Sequence, residues 1–226
     1  MLDRECSPDQ SALASIDQAI LTLLFGRAKL TSDDQVSGGN GSSLGKIRRA
    51  FQRPVIGAET TRTGPYSVFG AVLQFGFDDT AGPDLAIAQI PTSDPEAPPD
   101  CVYEFTIDTE ESGCGGWLSF EAFLPDLPKD REVMLAIAAR VSFDRAGNVG
   151  AALFVPLSNG DQKRFDLGEA EADNGPHSYL FSAPINLSHL SLGKEQSPRI
   201  ALQLPPDAGR KFSINHLDVF FSEIRK

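Results

Sequence analysis

The only tryptophan of this 226-residue chain lies in the segment GCGGWLSFEAFLP, residues 113–125. Side chains alternate between the two faces of a β-strand, so Trp117, Ser119 and Glu121 would share one face. The other face would carry an apolar row made of Leu118, Phe120, Ala122 and Leu124. An aromatic ring beside hydrogen-bonding groups suits a sugar, because a pyranose has an apolar face of C–H groups and an edge of hydroxyls. We therefore predict that Trp117, Ser119 and Glu121 bind a glycan.

Acidic residues precede this segment at an expected turn. Asp108, Glu110 and Glu111 would lie close to Trp117 and offer oxygen atoms to sugar hydroxyls or to calcium, which prefers oxygen ligands. Calcium is the one cofactor that the sequence suggests, and it remains an open prediction.

A second interpretation places Trp117 in the core. Phe123 shares its face, and three apolar side chains are expected to face outward on a neighbouring strand: Met134, Ala136 and Ala138. An N-terminal helix could cover such an apolar surface, and Trp117 would then be a packing residue rather than a ligand platform. The sequence leaves both interpretations open.

Signals of catalysis are weak. The sequence contains no GxSxG, HExxH, P-loop or strand-to-helix GxGxxG motif. Glu104 and Glu121, if they lie on adjacent strands, would form the paired acid and base that glycoside cleavage requires. Acidic residues on outward strand faces usually only interact with solvent. We therefore expect a non-catalytic protein, with polysaccharide cleavage as an alternative.

The chain is acidic, with a formal net charge of -11, and residues 55–226 hold 13 Lys and Arg against 25 Asp and Glu. Such a surface repels a phosphate backbone, which argues against nucleic acid as a partner. No apolar run approaches the ~18 residues of a membrane helix, and the first residues lack the pattern of a signal peptide. We expect cytoplasmic synthesis, with release on a particle as a route to an extracellular glycan.

The three cysteines are Cys6, Cys101 and Cys114, and they form no CxxC pair or zinc spacing. An odd number of scattered cysteines is typical of reduced thiols. A bridge between Cys101 and Cys114 on neighbouring strands is the alternative.

The first 53 residues form a separate segment in our interpretation. Ser7, Pro8 and Gln10 resemble a helix start, and an apolar stripe follows at helical spacing: Leu13, Ile16, Ile20, Leu23 and Leu24. We predict a helix over about 8–29, a flexible linker over 31–45 and a solvated basic stretch over 46–53. This segment would serve attachment, assembly or self-association.

From residue 54 onward the apolar residues recur with period two, between turn signals, in roughly ten segments. Examples are the rows from Phe69 to Phe77 and from Val133 to Phe143. This pattern predicts a mainly β domain over 54–226, a two-sheet antiparallel β-sandwich of the jelly-roll type. In the last strand the apolar parity changes between Ile214 and Leu217, which predicts a β-bulge at Asn215 or His216.

Three stretches, GGWLSFEAFLP (115–125), HSYLFSAPINL (177–187) and the closing PRIALQLPP to FSINHLDVFF, carry a resemblance to a known family. They resemble the jelly roll of carbohydrate-binding modules, also called the galactose-binding-like fold. The resemblance implies a non-catalytic sandwich that holds sugars with aromatic rings and polar side chains, commonly with a structural calcium.

Our leading hypothesis is therefore a non-catalytic polysaccharide-binding module, carried on a phage-like particle or a cell-surface assembly as an adhesion component. The alternative from a different class is a structural or assembly module that binds only protein. A fold alone does not decide between them.

Overall fold

The computed structural model describes residues 43–57, 59, 61–78, 85–109, 116–125, 127–193, 197–206 and 211–223. All of them belong to one compact unit, Ser37–Lys226. The predicted helix over 8–29 lies outside the described residues, and so do Glu110, Glu111, Cys6 and Cys114. The use of the N-terminal segment for attachment or assembly and self-association through the predicted helix therefore stay predictions.

The described residues contain one helix and twelve strands. The helix is α1 (Ser43–Gln52). The strands are β1 (Thr61–Thr63), β2 (Val68–Phe69), β3 (Leu73–Phe77), β4 (Leu85–Pro91), β5 (Tyr103–Asp108), β6 (Leu118–Phe123), β7 (Glu132–Phe143), β8 (Gly147–Pro156), β9 (Gln162–Ala172), β10 (Gly175–Asn186), β11 (Arg199–Leu204) and β12 (Lys211–Glu223).

The strands form two antiparallel six-stranded sheets, which confirms the predicted two-sheet sandwich. Sheet A has the order β1-β4-β5-β12-β7-β10, and sheet B has the order β2-β3-β6-β11-β8-β9. From β5 to β8 each connection passes from one sheet to the other, so neighbours in sequence are separated in space. Both sheets turn their apolar faces inward, because this removes the period-two apolar rows from water.

The inward rows agree with the predicted alternation in β6 and β7. Their buried members are Leu118, Phe120, Ala122, Val133, Leu135, Ile137, Ala139, Val141 and Phe143. The row from Phe69 to Phe77 is different, because β2 and β3 form a tight hairpin in which Phe69 pairs with Leu73. Ala71 lies in the turn with a φ of 66°. The expectation of one continuous strand over this row was therefore wrong.

The predicted β-bulge in β12 is confirmed, since the pairing of β12 with β7 shifts register between Ile214 and His216. The shift keeps the apolar residues on both sides of it inside the core: Phe212, Ile214, Leu217 and Val219. Asp218 is buried nonetheless, on the opposite face, where the Arg48 guanidinium of α1 binds its carboxylate with an Nη2–Oδ2 distance of 2.7 Å.

Residues 46–52 form most of α1, so the prediction of a solvated linker was wrong for them. The apolar residues of α1 recur at helical spacing, and all are buried: Leu44, Ile47, Ala50 and Phe51. The Phe51 ring lies 5.3 Å from the ring of Phe105 in sheet A and 6.5 Å from that of Phe120 in sheet B. The helix is thus an integral part of the sandwich core.

Candidate functional site

A groove of about 790 Å³ lies on the outer face of sheet B. On this face, strand register brings side by side two rows of residues that are mostly small, apart from Gln203 and Glu121. One row across the sheet is Gly76, Ser119, Gln203 and Gly150, and the next row contains Glu121, Ala201 and Ala152. Longer side chains stand around these rows, so the floor is recessed relative to its surroundings.

Two aromatic rings stand at one end of the groove. Trp117 immediately precedes β6 and keeps 40% of its surface exposed, while Tyr66 keeps 49%. Their ring centroids are 5.9 Å apart and the ring planes are tilted by 40°. Tyr66 has a φ of 61°, an uncommon conformation for a residue with a side chain, and its N–H donates to the Phe75 carbonyl at 2.8 Å. The backbone therefore holds Tyr66 beside Trp117.

Gly76 allows the indole to lie close to the sheet. A Cβ atom at this position would lie 2.9 Å from Cζ3 of Trp117, 2.9 Å from Oγ of Ser119 and 2.8 Å from Oε1 of Glu121. Those distances are below van der Waals contact, so any other residue here would displace one of these three side chains. The missing side chain of Gly76 thus sets the position of Trp117.

Ser119 and Glu121 lie on the groove side of β6, as the alternation predicts, but both are buried, with only 2% of Glu121 exposed. The Glu121 carboxylate accepts hydrogen bonds from Nε2 of Gln74 at 2.6 Å and from Oγ of Ser119 at 2.9 Å. It also forms an ion pair with Nε of Arg199 at 2.8 Å. These two predicted ligand residues therefore form a polar network beneath the groove. Direct contact with a sugar stays a prediction for them.

The side wall of the groove is formed by an arginine–phenylalanine–arginine row. Arg199, Phe154 and Arg164 are register partners on β11, β8 and β9. The Cζ atom of Arg199 lies 5.0 Å from the centroid of the Phe154 ring, and that of Arg164 lies 5.8 Å from it. We call these three residues the arginine wall. The flat guanidinium groups stack on the ring by cation–π attraction.

Asp108, the residue of the predicted acidic site that the structure describes, does not lie at this groove. Asp108 ends β5 in sheet A and forms an ion pair with Nζ of Lys211 at 3.2 Å, whereas Trp117, Ser119 and Glu121 line the groove of sheet B. Within the described ranges, no three His, Cys, Asp or Glu side chains cluster as metal ligands. Glu110 and Glu111 lie outside these ranges, so calcium at the turn stays a prediction.

Two expectations about the neighbours of β6 were wrong. Glu104 lies on β5 of sheet A, so it is not on a strand adjacent to Glu121, and its carboxylate accepts hydrogen bonds from Asn215 at 2.6 Å and Thr92 at 2.8 Å. Met134 and its outward neighbours lie on β7 of sheet A, whereas β6 pairs with β3 and β11. The apolar surface imagined beside Trp117 is therefore on the other sheet.

Several groove residues were missed by the sequence reasoning. They are Tyr66, Asn148, Phe154, Arg164, Glu169, Arg199 and Gln203. Only Tyr66 carried a local signal, since it follows Gly64 and Pro65 in a turn before an apolar row. The others reach the groove because β8, β9 and β11 pair beside β6, and that order cannot be read from a strand's own pattern.

A second polar cluster lies near α1, but it is closed to solvent. Sγ of Cys101 lies 3.0 Å from Nδ1 of His216, and Cys101 is a free, buried thiol. Burial raises the pKa of the Cys101 thiol above its usual range and lowers the pKa of His216 to about 3. Burial also raises the pKa of Asp218, although Arg48 opposes that shift. A neutral, buried thiol is a poor nucleophile, so this cluster has a structural role.

Comparison with known proteins gives no family for this chain. No protein-family model matches the chain, and no curated protein matches it. Among solved structures, it is similar to the CBM22-1 xylan-binding domain of Paenibacillus barcinonensis Xyn10C, with 9% identity over 75% of this chain and 98% of that domain, at a TM-score of 0.46.

Two further structures show likeness at a similar level. The Stig cyclase Fisc from Fischerella sp. TAU is 9% identical over 77% of this chain and 94% of its own, with a TM-score of 0.49. A family 16 carbohydrate-binding module is 11% identical over 64% of this chain and 90% of its own, with a TM-score of 0.40. Carbohydrate-binding modules, the class that the strand pattern resembles, are thus among the matched structures.

No helix among the described residues is long and apolar enough to cross a membrane.

Proposed function

We propose that this chain binds polysaccharide, without cleaving it, in the groove on the outer face of sheet B. The observation that carries the proposal is the pair of exposed rings at the end of that groove, Trp117 and Tyr66, whose centroids are 5.9 Å apart. Large exposed aromatic side chains beside a recessed polar floor are costly in water unless a ligand covers them.

The chemistry of the lining suits a sugar chain. The rings offer apolar surfaces to the C–H faces of pyranose rings, while Gln203, Asn148 and Arg164 offer amide and guanidinium groups to hydroxyls. From β6 to β9 the groove crosses three strand spacings, roughly 14 Å. This length exceeds one sugar ring, so the groove fits an oligosaccharide segment.

We infer binding without cleavage because the carboxylates of the groove are already engaged by neighbouring side chains. Glycoside cleavage needs two carboxyl groups facing one bond. Glu121 is buried and engaged by Arg199, Gln74 and Ser119, and the other described carboxylate of the lining, Glu169, accepts a hydrogen bond from Asn148 at 3.1 Å. Neither is placed as a free acid or base opposite a partner.

The test is the variant Trp117→Ala, with binding and stability measured on the same protein. Because Trp117 is 40% exposed, the change should leave the fold intact, whereas truncating a core aromatic costs about 3–5 kcal/mol. Binding on a polysaccharide array should fall by about fivefold or more, since stacking on one aromatic ring contributes on the order of 1 kcal/mol. Met134→Ala is the matched control, because Met134 is also exposed but lies on sheet A.

Two results would contradict the proposal. A wild-type chain that binds no glycan on the array, while it captures a defined protein partner, would favour the structural or assembly alternative. Release of reducing ends from a bound polysaccharide would favour an enzyme. A phage-like particle or cell-surface assembly remains our suggested setting, and co-sedimentation of the chain with particles from lysed producing cells would test it.

A further inference from the structure

We propose that the groove is adapted to a glycan that carries an acidic substituent, a carboxylate or a sulfate, which the arginine wall binds. This inference rests on the proposed function of the groove. It concerns which polysaccharides bind in the groove, and the observation that supports it is the arginine wall, Arg199, Phe154 and Arg164.

Each guanidinium of the wall keeps an unused donor group. Nε of Arg199 lies 2.8 Å from Oε2 of Glu121 in an ion pair without a hydrogen bond, and Nη2 donates to Oε1 of Gln162 at 3.2 Å. Arg164 donates from Nε to Asp166 at 2.6 Å and from Nη2 to Gln203 at 3.1 Å. Among the described residues, Nη1 has no acceptor in either arginine. Guanidinium N–H groups bind carboxylate and sulfate oxygens with charge-assisted hydrogen bonds.

Arg199 of the wall is held in place before any ligand binds. Arg199 is 15% exposed and is held from below by the buried carboxylate of Glu121, while the Phe154 ring supports both guanidinium groups. We regard Glu121 as a positioning residue, because it acts on a ligand through Arg199. A guanidinium fixed in this way loses little conformational entropy on binding.

The local charge also permits an acidic ligand, although the chain as a whole has a net charge of -11. The described lining contains two arginines and two glutamates, so its formal charge is zero. Glu121 is neutralised by Arg199, and the Arg164–Asp166 pair is exposed, with 48% of Arg164 accessible. Exposed ion pairs contribute little free energy, so a ligand anion can take the place of Asp166 as the partner of Arg164. Distant negative charges are screened beyond ~8 Å at physiological salt.

The experiment compares the full chain with Arg164→Gln on an array of polygalacturonate, alginate, dextran sulfate and neutral glucans, xylans and galactans. We expect wild-type protein to bind acidic probes at least about tenfold more tightly than neutral ones, the ratio expected for a charged hydrogen bond, and to lose this preference in Arg164→Gln. Binding should weaken with added salt. Polygalacturonate and dextran sulfate separate a carboxylate from a sulfate.

Arg131→Gln is the matched control, because Arg131 is 49% exposed and pairs with a neighbouring aspartate, Asp130, away from the groove. Equal loss in both variants would indicate a non-specific charge effect and overturn the inference. Equal binding of neutral and acidic probes, unchanged in Arg164→Gln, would overturn it while leaving the proposed function standing. Absence of binding to every probe would refute both.

Discussion

Truncation of Phe51 to alanine tests whether α1 belongs to the core. Phe51 has no exposed surface, and its ring meets that of Phe105 edge-on, at 5.3 Å and an interplanar angle of 85°. Its carbonyl also accepts a hydrogen bond from the N–H of Val102 at 2.9 Å. The side chain therefore contacts the core while the backbone joins the helix to the chain segment before β5.

The expected magnitude follows from this burial. Replacing a fully buried phenylalanine by alanine removes its contacts and leaves a cavity, which costs about 3–5 kcal/mol. In a domain of this size, 1 kcal/mol lowers the melting temperature by about 2–4 °C. Phe51→Ala should thus melt roughly 6–20 °C below the wild type.

The assay is urea unfolding followed by far-ultraviolet circular dichroism, together with a thermal melt. Gln52→Ala is the control in the same helix, because Gln52 is exposed and its Nε2 donates at a long 3.5 Å to Asp100. Its effect should stay within about 0.5 kcal/mol. If Phe51→Ala were as mild as Gln52→Ala, the helix would not be part of the core and residues 46–53 would be a linker after all.

Two further predictions concern the groove and the buried histidine. Gly76→Ala places a methyl group 2.9 Å from Cζ3 of Trp117, so it should shift the tryptophan emission, reduce polysaccharide binding and lower the free energy of unfolding by about 1–3 kcal/mol. Gly150→Ala is the control, because its new Cβ would come no closer than 3.3 Å to a neighbour, and it should leave the emission unchanged. Equal emission spectra for the two variants would contradict the assigned geometry. Burial lowers the pKa of His216 to about 3, so as the pH falls below about 6.5 the unfolded chain binds a proton that the native state cannot. The free energy of unfolding should then decrease by up to ~1.4 kcal/mol for each pH unit of acidification. His216→Asn should flatten this pH dependence between about pH 6.5 and 5. An unchanged slope in the variant would show that His216 does not cause the pH dependence.

The sandwich could be predicted from apolar residues at every second position. A half-buried strand has to alternate its apolar and polar residues, whichever strands lie beside it. The alternation from Leu118 to Leu124 placed Trp117 and Glu121 on the outer face before any pairing was known. The bulge in β12 followed in the same way, from a change of parity between Ile214 and Leu217 that only an inserted residue can reconcile with one buried face.

Helical spacing was present but overlooked in α1. Ile47 and Phe51 lie four residues apart, yet the four basic residues between positions 46 and 53 favoured a solvated linker. Short helices gain most of their stability from the surface that they pack against, and here that surface is formed by strands far away in sequence. The same distance explains Asp218, whose burial is tolerated because Arg48, 170 residues earlier, reaches its carboxylate.

The alternation within each strand was enough to predict an antiparallel sandwich and to place Trp117 on the face opposite the apolar row of β6. Whether that face was covered, and which strands became neighbours, depended on the tertiary structure. Pairing of β6 with β3 and β11 placed Gly76 under the indole, moved Glu104 to the other sheet and brought Arg199 onto Glu121. Strand order is set by the packing of the whole core and by connections that cross between sheets, and no single segment contains that information.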